Sequence, residues 1–79
     1  MHNFRFVTLM RHSMKISVIG AGYVGLSLSV LLSRKHQVVT LDVIPEKVDL
    51  INNGRSPIAD KDIERCLSEG NLDLVATLE

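Results

Sequence analysis

Cysteine occurs once in this 79-residue sequence, at Cys66, so no disulfide can form within the chain and a reducing, cytoplasmic setting is the default. Net charge is lacking as well, because nine Lys and Arg balance nine Asp and Glu. A surface selected for a non-specific polyanion, whether nucleic acid or anionic lipid, is therefore not indicated. Long apolar runs are missing. The longest, Val24 to Leu32, is interrupted by serines and falls well short of the roughly 20 residues a membrane span requires, so it reads as a buried helix. Phe6 to Met10 is short for a signal sequence, and no small-residue cleavage site follows it. Repeats, low-complexity tracts and charge blocks are absent too. His2, His12 and His36 show no ligand spacing, so no metal site is expected. A chain of this length makes at most one small domain, which buries only about 60% of its unfolded surface.

What the sequence does have is concentrated around one turn. Lys15 to Ile19 is an almost continuously apolar run, as expected of a parallel strand covered on both faces. It ends at Gly20, Gly22 and Gly25, spaced G-x-G-x-x-G, and a helix-forming run follows directly. A second apolar run, Val38 to Leu41, then ends in Asp42, about 20 residues beyond the first glycine. A bare glycine triplet is a weak signal. A strand before it, a helix after it and an acid closing the next strand make it the dinucleotide-binding fingerprint in its required context.

The remaining elements follow from punctuation and periodicity. The first helix is expected over about Tyr23 to Arg34, with Val24, Leu28, Leu31 and Leu32 on the inward stripe and Ser27 and Ser29 off it. Arg34 and Lys35 would complement its C-terminal dipole. A second helix starts at Pro45, which suits a first helical position. It carries Val48, Leu50 and Ile51 and stops at Asn52-Asn53-Gly54. After a loop containing Ser56-Pro57, Asp60 caps a third helix with Ile63 and Leu67 inward and a stop near Gly70. Leu72 to Ala76 is the expected third strand. The order β-α-β-α-α-β is the N-terminal half of a Rossmann-type, doubly wound parallel α/β sheet. Residues 14–79 form this partial domain. Residues 1–13 are expected to be an extension, either disordered or, from the β-formers Phe4 to Met10, an edge strand antiparallel to strand one.

The fingerprint specifies chemistry. Gly20 permits the tight exit from the strand, Gly22 lets a pyrophosphate approach the backbone, and Gly25 lets helix and strand pack closely. N–H groups at the helix start, with the positive end of its dipole, would hold the phosphate charge. Asp42 can accept hydrogen bonds from both ribose hydroxyls and would repel a 2′-phosphate. No arginine stands at Val43 or Ile44 to offset that repulsion, so the expected cofactor is NAD rather than NADP. Tyr23 would cover the cofactor or simply pack, and Lys47 would reach an adenosine phosphate or remain a solvated helix residue. Nothing in the neighbourhood of Cys66 lowers its pKa, which argues for a structural or surface thiol.

Met14 to Ser27, with Gly-Tyr-Val-Gly-Leu inside it, resembles the N-terminus of the UDP-glucose/GDP-mannose dehydrogenase family. Asp42 to Val48, Ser56-Pro57-Ile58, Asp60-Lys61 and Ala76 to Leu78 fit the same pattern, closest to that of the UDP-glucose-oxidising members. The resemblance covers residues 14–79. It implies an NAD-dependent, two-step oxidation of a sugar-nucleotide C6 alcohol to a carboxylate, through a cysteine-bound thiohemiacetal and thioester and using two NAD. Position by position, Gly20, Gly22, Tyr23, Val24 and Gly25 match the family's pyrophosphate turn. Asp42 matches its ribose-binding acid, and Lys47 matches a basic residue contacting the adenosine portion.

The segments that carry the family's nucleophilic cysteine and its helpers are not among these residues, and Cys66 does not stand in the nucleophile's context. No catalytic residue is expected here, and the sugar nucleotide is a partner only of a full-length form. Strand one would be an exposed edge, which leaves the isolated chain marginally stable, inactive and open to self-association. The chain thus reads as the opening piece of a UDP-glucose-oxidising enzyme, of a relative acting on GDP-mannose or a UDP-N-acetyl-hexosamine, or as a non-catalytic nucleotide-binding or interaction module.

Overall fold

The computed structural model describes residues 14–79. The extension 1–13, with its suggested edge strand, lies outside the described residues. Three parallel strands form one sheet in the order β1 (Lys15–Ile19), β2 (Gln37–Asp42), β3 (Leu74–Leu78). Helix α1 (Tyr23–Leu32) connects β1 to β2, and helices α2 (Pro45–Asn52) and α3 (Lys61–Glu69) connect β2 to β3. The register pairs Ile16 with Val38, Val18 with Thr40, and Thr40 in turn with Ala76. These residues share one face of the pleat, since side chains alternate along a strand. Val18, Val38, Thr40 and Ala76 are all buried.

The helices lie on that face. Leu26 and Val30 of α1, Val48 and Ile51 of α2, and Ile63 and Leu67 of α3 form the core with Ala21 and Ala76. On the opposite face Ile19 is 72% exposed and Val75 54% exposed, and Val39 is exposed as well. The expectation that β1 is covered on both faces is therefore not met among the described residues. The reason lies in the topology. Two successive crossovers of the same hand, progressing the same way across the sheet, deliver their helices to the same side. Among the described residues β1 is also an edge of the sheet.

Helix α1 turns a different face inward from the expected one. Its buried residues are Leu26, Ser29 and Val30, with Ser33 buried just beyond its end, whereas Val24, Leu28 and Leu31 are exposed. Gly25, Ser29 and Ser33 are spaced four apart and so fall on one stripe of the helix. Small side chains on that stripe let the axis lie close to β2. Thr40 Oγ1 donates to Ser29 Oγ at 2.7 Å, a hydrogen bond buried in that interface. The helix ends at Leu32, with Ser33 as its C-cap, so Arg34 and Lys35 follow it rather than sit in its last turn.

The other punctuation works as the residues indicate. Pro45 opens α2, and the Asp60 carboxylate accepts the N–H groups of Asp62 and Ile63 at the start of α3. Gly70 closes α3 in the left-handed conformation. Strand β3 starts two residues later than expected, at Leu74. The Asp73 N–H is bonded to the Ser33 carbonyl, and Leu72 packs on the core from the preceding loop. At the outer edge of β3 the Asn52 carboxamide binds Ala76 twice. Its Nδ2 donates to the Ala76 carbonyl at 2.8 Å, and its Oδ1 accepts the Ala76 N–H at 2.8 Å.

Candidate functional site

The site is built where β1 and β2 end and α1 begins. Gly20 leaves β1 with φ +98°, a conformation that side chains rarely adopt, and its N–H donates to the Leu41 carbonyl at 2.6 Å. The turn is thereby fastened to the end of β2. Gly25 lies in the first turn of α1, where a Cβ would overlap the Gly20 carbonyl oxygen; only a hydrogen allows this approach. Gly22 differs from both. Its φ is −76°, and a Cβ built on it meets nothing within 4 Å.

Gly22 is the N-cap of α1 and supplies no side-chain hydrogen bond to the helix. The first four N–H groups of any helix lack an intrahelical partner. Beside them a side chain at Gly22 would meet no atom within 4 Å, and the positive end of the dipole there suits an anion. Tyr23 and Val24, 60% and 76% exposed, flank the opening.

Asp42 closes β2 beside this helix start. Its Oδ2 accepts the Ala21 N–H at 2.7 Å and its Oδ1 accepts the Ile44 N–H at 3.0 Å. These two donors, the Ala21 N–H above all, hold the carboxyl below the usual carboxylate range; the Lys47 charge and the Val43 N–H act in the same direction, while desolvation opposes them. Asp42 is thus an anion at neutral pH. Each of its oxygens is committed to one backbone donor and keeps acceptor capacity for a second. Lys47 lies in the first turn of α2, and Val43 and Ile44 beside Asp42 are exposed apolar residues.

The residues singled out from sequence therefore converge. Gly20, Gly22, Tyr23, Val24, Gly25 and Asp42 are drawn together by the β1 turn and the end of β2, and Lys47, in the first turn of α2, is near enough for its charge to favour the Asp42 carboxylate. Sequence reasoning missed the N–H groups of Ala21 and Ile44, which orient Asp42, and the Ser29–Thr40 pair beneath the turn. The four-residue spacing from Gly25 to Ser29 was the available signal for that pair. Away from the site, Arg34 Nη2 donates to the half-buried Cys66 Sγ at 3.4 Å in an exposed contact. Among the described residues no helix is long and apolar enough to cross a membrane.

The NAD-binding domain of the UDP-glucose/GDP-mannose dehydrogenase family matches residues 14–78. The chain is 54% identical over 66 residues to the UDP-glucose 6-dehydrogenase of Streptococcus pneumoniae, covering 84% of this chain and 17% of that protein. It is 48% identical over 58 residues to the GDP-mannose 6-dehydrogenase of Pseudomonas syringae pv. syringae, covering 72% of this chain and 13% of that one. Among solved structures, the UDP-D-ManNAc dehydrogenase of Pyrococcus horikoshii superposes with a TM-score of 0.75 at 32% identity, over 84% of this chain and 16% of the other. A ternary complex of the GDP-mannose dehydrogenase of Pseudomonas aeruginosa gives a TM-score of 0.71 at 43% identity, over 78% and 15%. The chain thus spans less than a fifth of the length of these relatives.

Proposed function

Since this chain belongs to the UDP-glucose/GDP-mannose dehydrogenase family and carries its NAD-binding domain, we propose that it is the NAD-binding portion of a UDP-glucose 6-dehydrogenase, an enzyme that oxidises UDP-glucose to UDP-glucuronate with two NAD. The observation that carries the cofactor part is the uncapped start of α1, open above Gly22, beside an ionised Asp42. That pair of features matches the pyrophosphate and the ribose of an adenosine diphosphate group.

In this reading the N–H groups of the first turn, from Gly22 to Gly25, take the pyrophosphate. Gly20 and Gly25 shape the turn, and Gly22 leaves room for the phosphates. Asp42 accepts from the adenosine ribose hydroxyls, and Lys47 adds positive charge toward the adenosine side. Tyr23 and Val24 border the bound phosphates. When bound, NAD supplies the hydride acceptor. The described residues bind and orient it, and none of them contributes a group to the oxidation itself. The partial domain is residues 14–79, with 1–13 as an extension. The sugar nucleotide is a partner only of a longer form, and neither nucleic acid nor a membrane is a partner. The free edge of β1 is a route to self-association, and the single free cysteine suits a cytoplasmic location.

UDP-glucose is favoured as the substrate by the 54% identity to the streptococcal enzyme. The 48% identity to a GDP-mannose enzyme makes GDP-mannose the nearest alternative. Calorimetric titration of the chain with NAD, NADP and ADP-ribose tests the cofactor assignment. NAD and ADP-ribose are expected to bind alike and NADP much more weakly. Equal affinity for NAD and NADP would overturn the role given to Asp42. UDP-glucose-dependent NADH formation by the 79-residue chain alone would overturn the division of labour.

A further inference from the structure

The hydrogen bond between Thr40 and Ser29 is an unexpected feature of the α1–β2 interface. Both residues are fully buried, and Thr40 Oγ1 donates to Ser29 Oγ at 2.7 Å. Two hydroxyls bonded to each other in an apolar layer give little net stability, since replacing both by apolar groups of the same shape is close to neutral. What such a bond does supply is one fixed alignment, because a slide of either element would leave a buried hydroxyl unpaired.

Its position shows which alignment is fixed. Ser29 lies four residues after Gly25, about one turn further along the same stripe of α1. Thr40 lies two residues before Asp42, on the same face of β2. The pair therefore ties the helix whose first turn faces the open anion site to the strand that presents the carboxylate. The Ala21 N–H to Asp42 bond makes a second buried tie, between the glycine turn and the C-terminal end of β2.

We infer that Ser29 and Thr40 are positioning residues that set the register between the phosphate-binding start of α1 and the ribose-binding carboxylate of Asp42, and so select ligands that span both. The inference rests on the NAD reading above. A ligand touching only one of the two groups should be indifferent to the pair. One that bridges them, with a ribose and a pyrophosphate at fixed separation, should depend on it.

The test uses the 79-residue chain carrying Ser29→Ala and Thr40→Val together, compared with the unaltered chain by titration with adenosine, ADP and NAD followed by NMR. Urea unfolding is recorded in parallel. The double variant is expected to keep its urea midpoint and its adenosine affinity, and to bind ADP and NAD about tenfold more weakly, the equivalent of one hydrogen bond to a charged group. Thr40→Ser alone, which keeps a hydroxyl facing Ser29, should bind ADP and NAD at the unaltered level. Unchanged ADP and NAD affinities in the double variant overturn the inference, as does an equal loss for all three ligands. If the double variant does not fold, the pair is assigned to stability and its positioning role is overturned. If the unaltered chain itself binds no NAD, the NAD reading fails first, which is a separate and recognisable result.

Discussion

Gly22 and Gly25 sit three residues apart in the same motif, yet substitution by alanine should affect them in opposite ways. At Gly25 the added Cβ would press on the Gly20 carbonyl oxygen. Gly20 cannot readily yield, since its N–H is held by Leu41 at 2.6 Å and its φ is +98°. The helix or the turn must then shift, at a cost of about 1–3 kcal/mol for an overpacked methyl group. Alanine recovers up to about 1 kcal/mol through its better helix propensity. Because the contact is with backbone, the cost lies at the upper end of that range, and the net loss is about 1–2 kcal/mol, or roughly 5–15 °C in Tm for a domain of this size. At Gly22 the Cβ meets no protein atom within 4 Å. Alanine there is a poorer N-cap than glycine by about 0.5–1 kcal/mol, but it narrows the unfolded ensemble by a similar amount. Gly22→Ala should therefore unfold with the unaltered chain while filling the space assigned to the pyrophosphate, and bind NAD about 10–200-fold more weakly, the range for one misfitting methyl group in a shaped pocket. Urea unfolding and NAD titration of both variants make the comparison. A Gly22→Ala chain that binds NAD normally would show that the phosphates lie elsewhere. A Gly25→Ala chain of unaltered stability would show that the close approach to Gly20 is not rigid.

Acid sensitivity gives a second test. Asp42 has a lowered pKa in the fold, so its contribution to stability is complete above the ordinary carboxylate range and is lost as pH falls through the lowered value. Urea midpoints measured down the acid limb should flatten for Asp42→Asn relative to the unaltered chain, and identical pH profiles would remove Asp42 as a source of that limb. The same variant keeps only one acceptor oxygen where Ala21 and Ile44 both donate, so NAD affinity should fall about tenfold and the preference for NAD over NADP should narrow in calorimetric titration. Asn52→Ala removes two hydrogen bonds to Ala76 and should cost about 1–3 kcal/mol in urea unfolding; a smaller loss would mean that water replaces the carboxamide freely. Asp60→Ala removes the cap of α3 and should cost about 1 kcal/mol by the same measurement.

The parts of this architecture legible in the sequence are those governed by local rules. The turn at Gly20, the proline start of α2, the Asp60 cap and the stop at Gly70 each follow from one residue's own backbone or side-chain chemistry. The convergence of Asp42 on the glycine turn was legible because the strand–helix–strand unit has essentially one way to fold. The buried face of α1 was not. Val24, Leu28 and Leu31 form an apolar stripe, but Ser29 and Ser33 went inward beside Leu26 and Val30, where the helix lies close to β2, and that stripe turned outward. The two-residue shift of β3 has a similar cause. Leu72 is apolar because it packs under the preceding loop, and apolarity alone does not separate that role from a place in the sheet. The clasp of Asp42 on Ala21 joins residues 21 apart in sequence and leaves no periodic trace.

Asn52 gives this sheet a direction of growth. A strand arriving beside β3 would seek the backbone groups of Ala76 and find both already taken by one side chain. It would have to displace two hydrogen bonds before making its own, whereas no such toll stands at β1 among the described residues. A single carboxamide therefore turns a symmetric hazard, two free edges, into a polarised one. Extension of the sheet is favoured on the β1 side, and stacking through β3 must first displace Asn52 from Ala76.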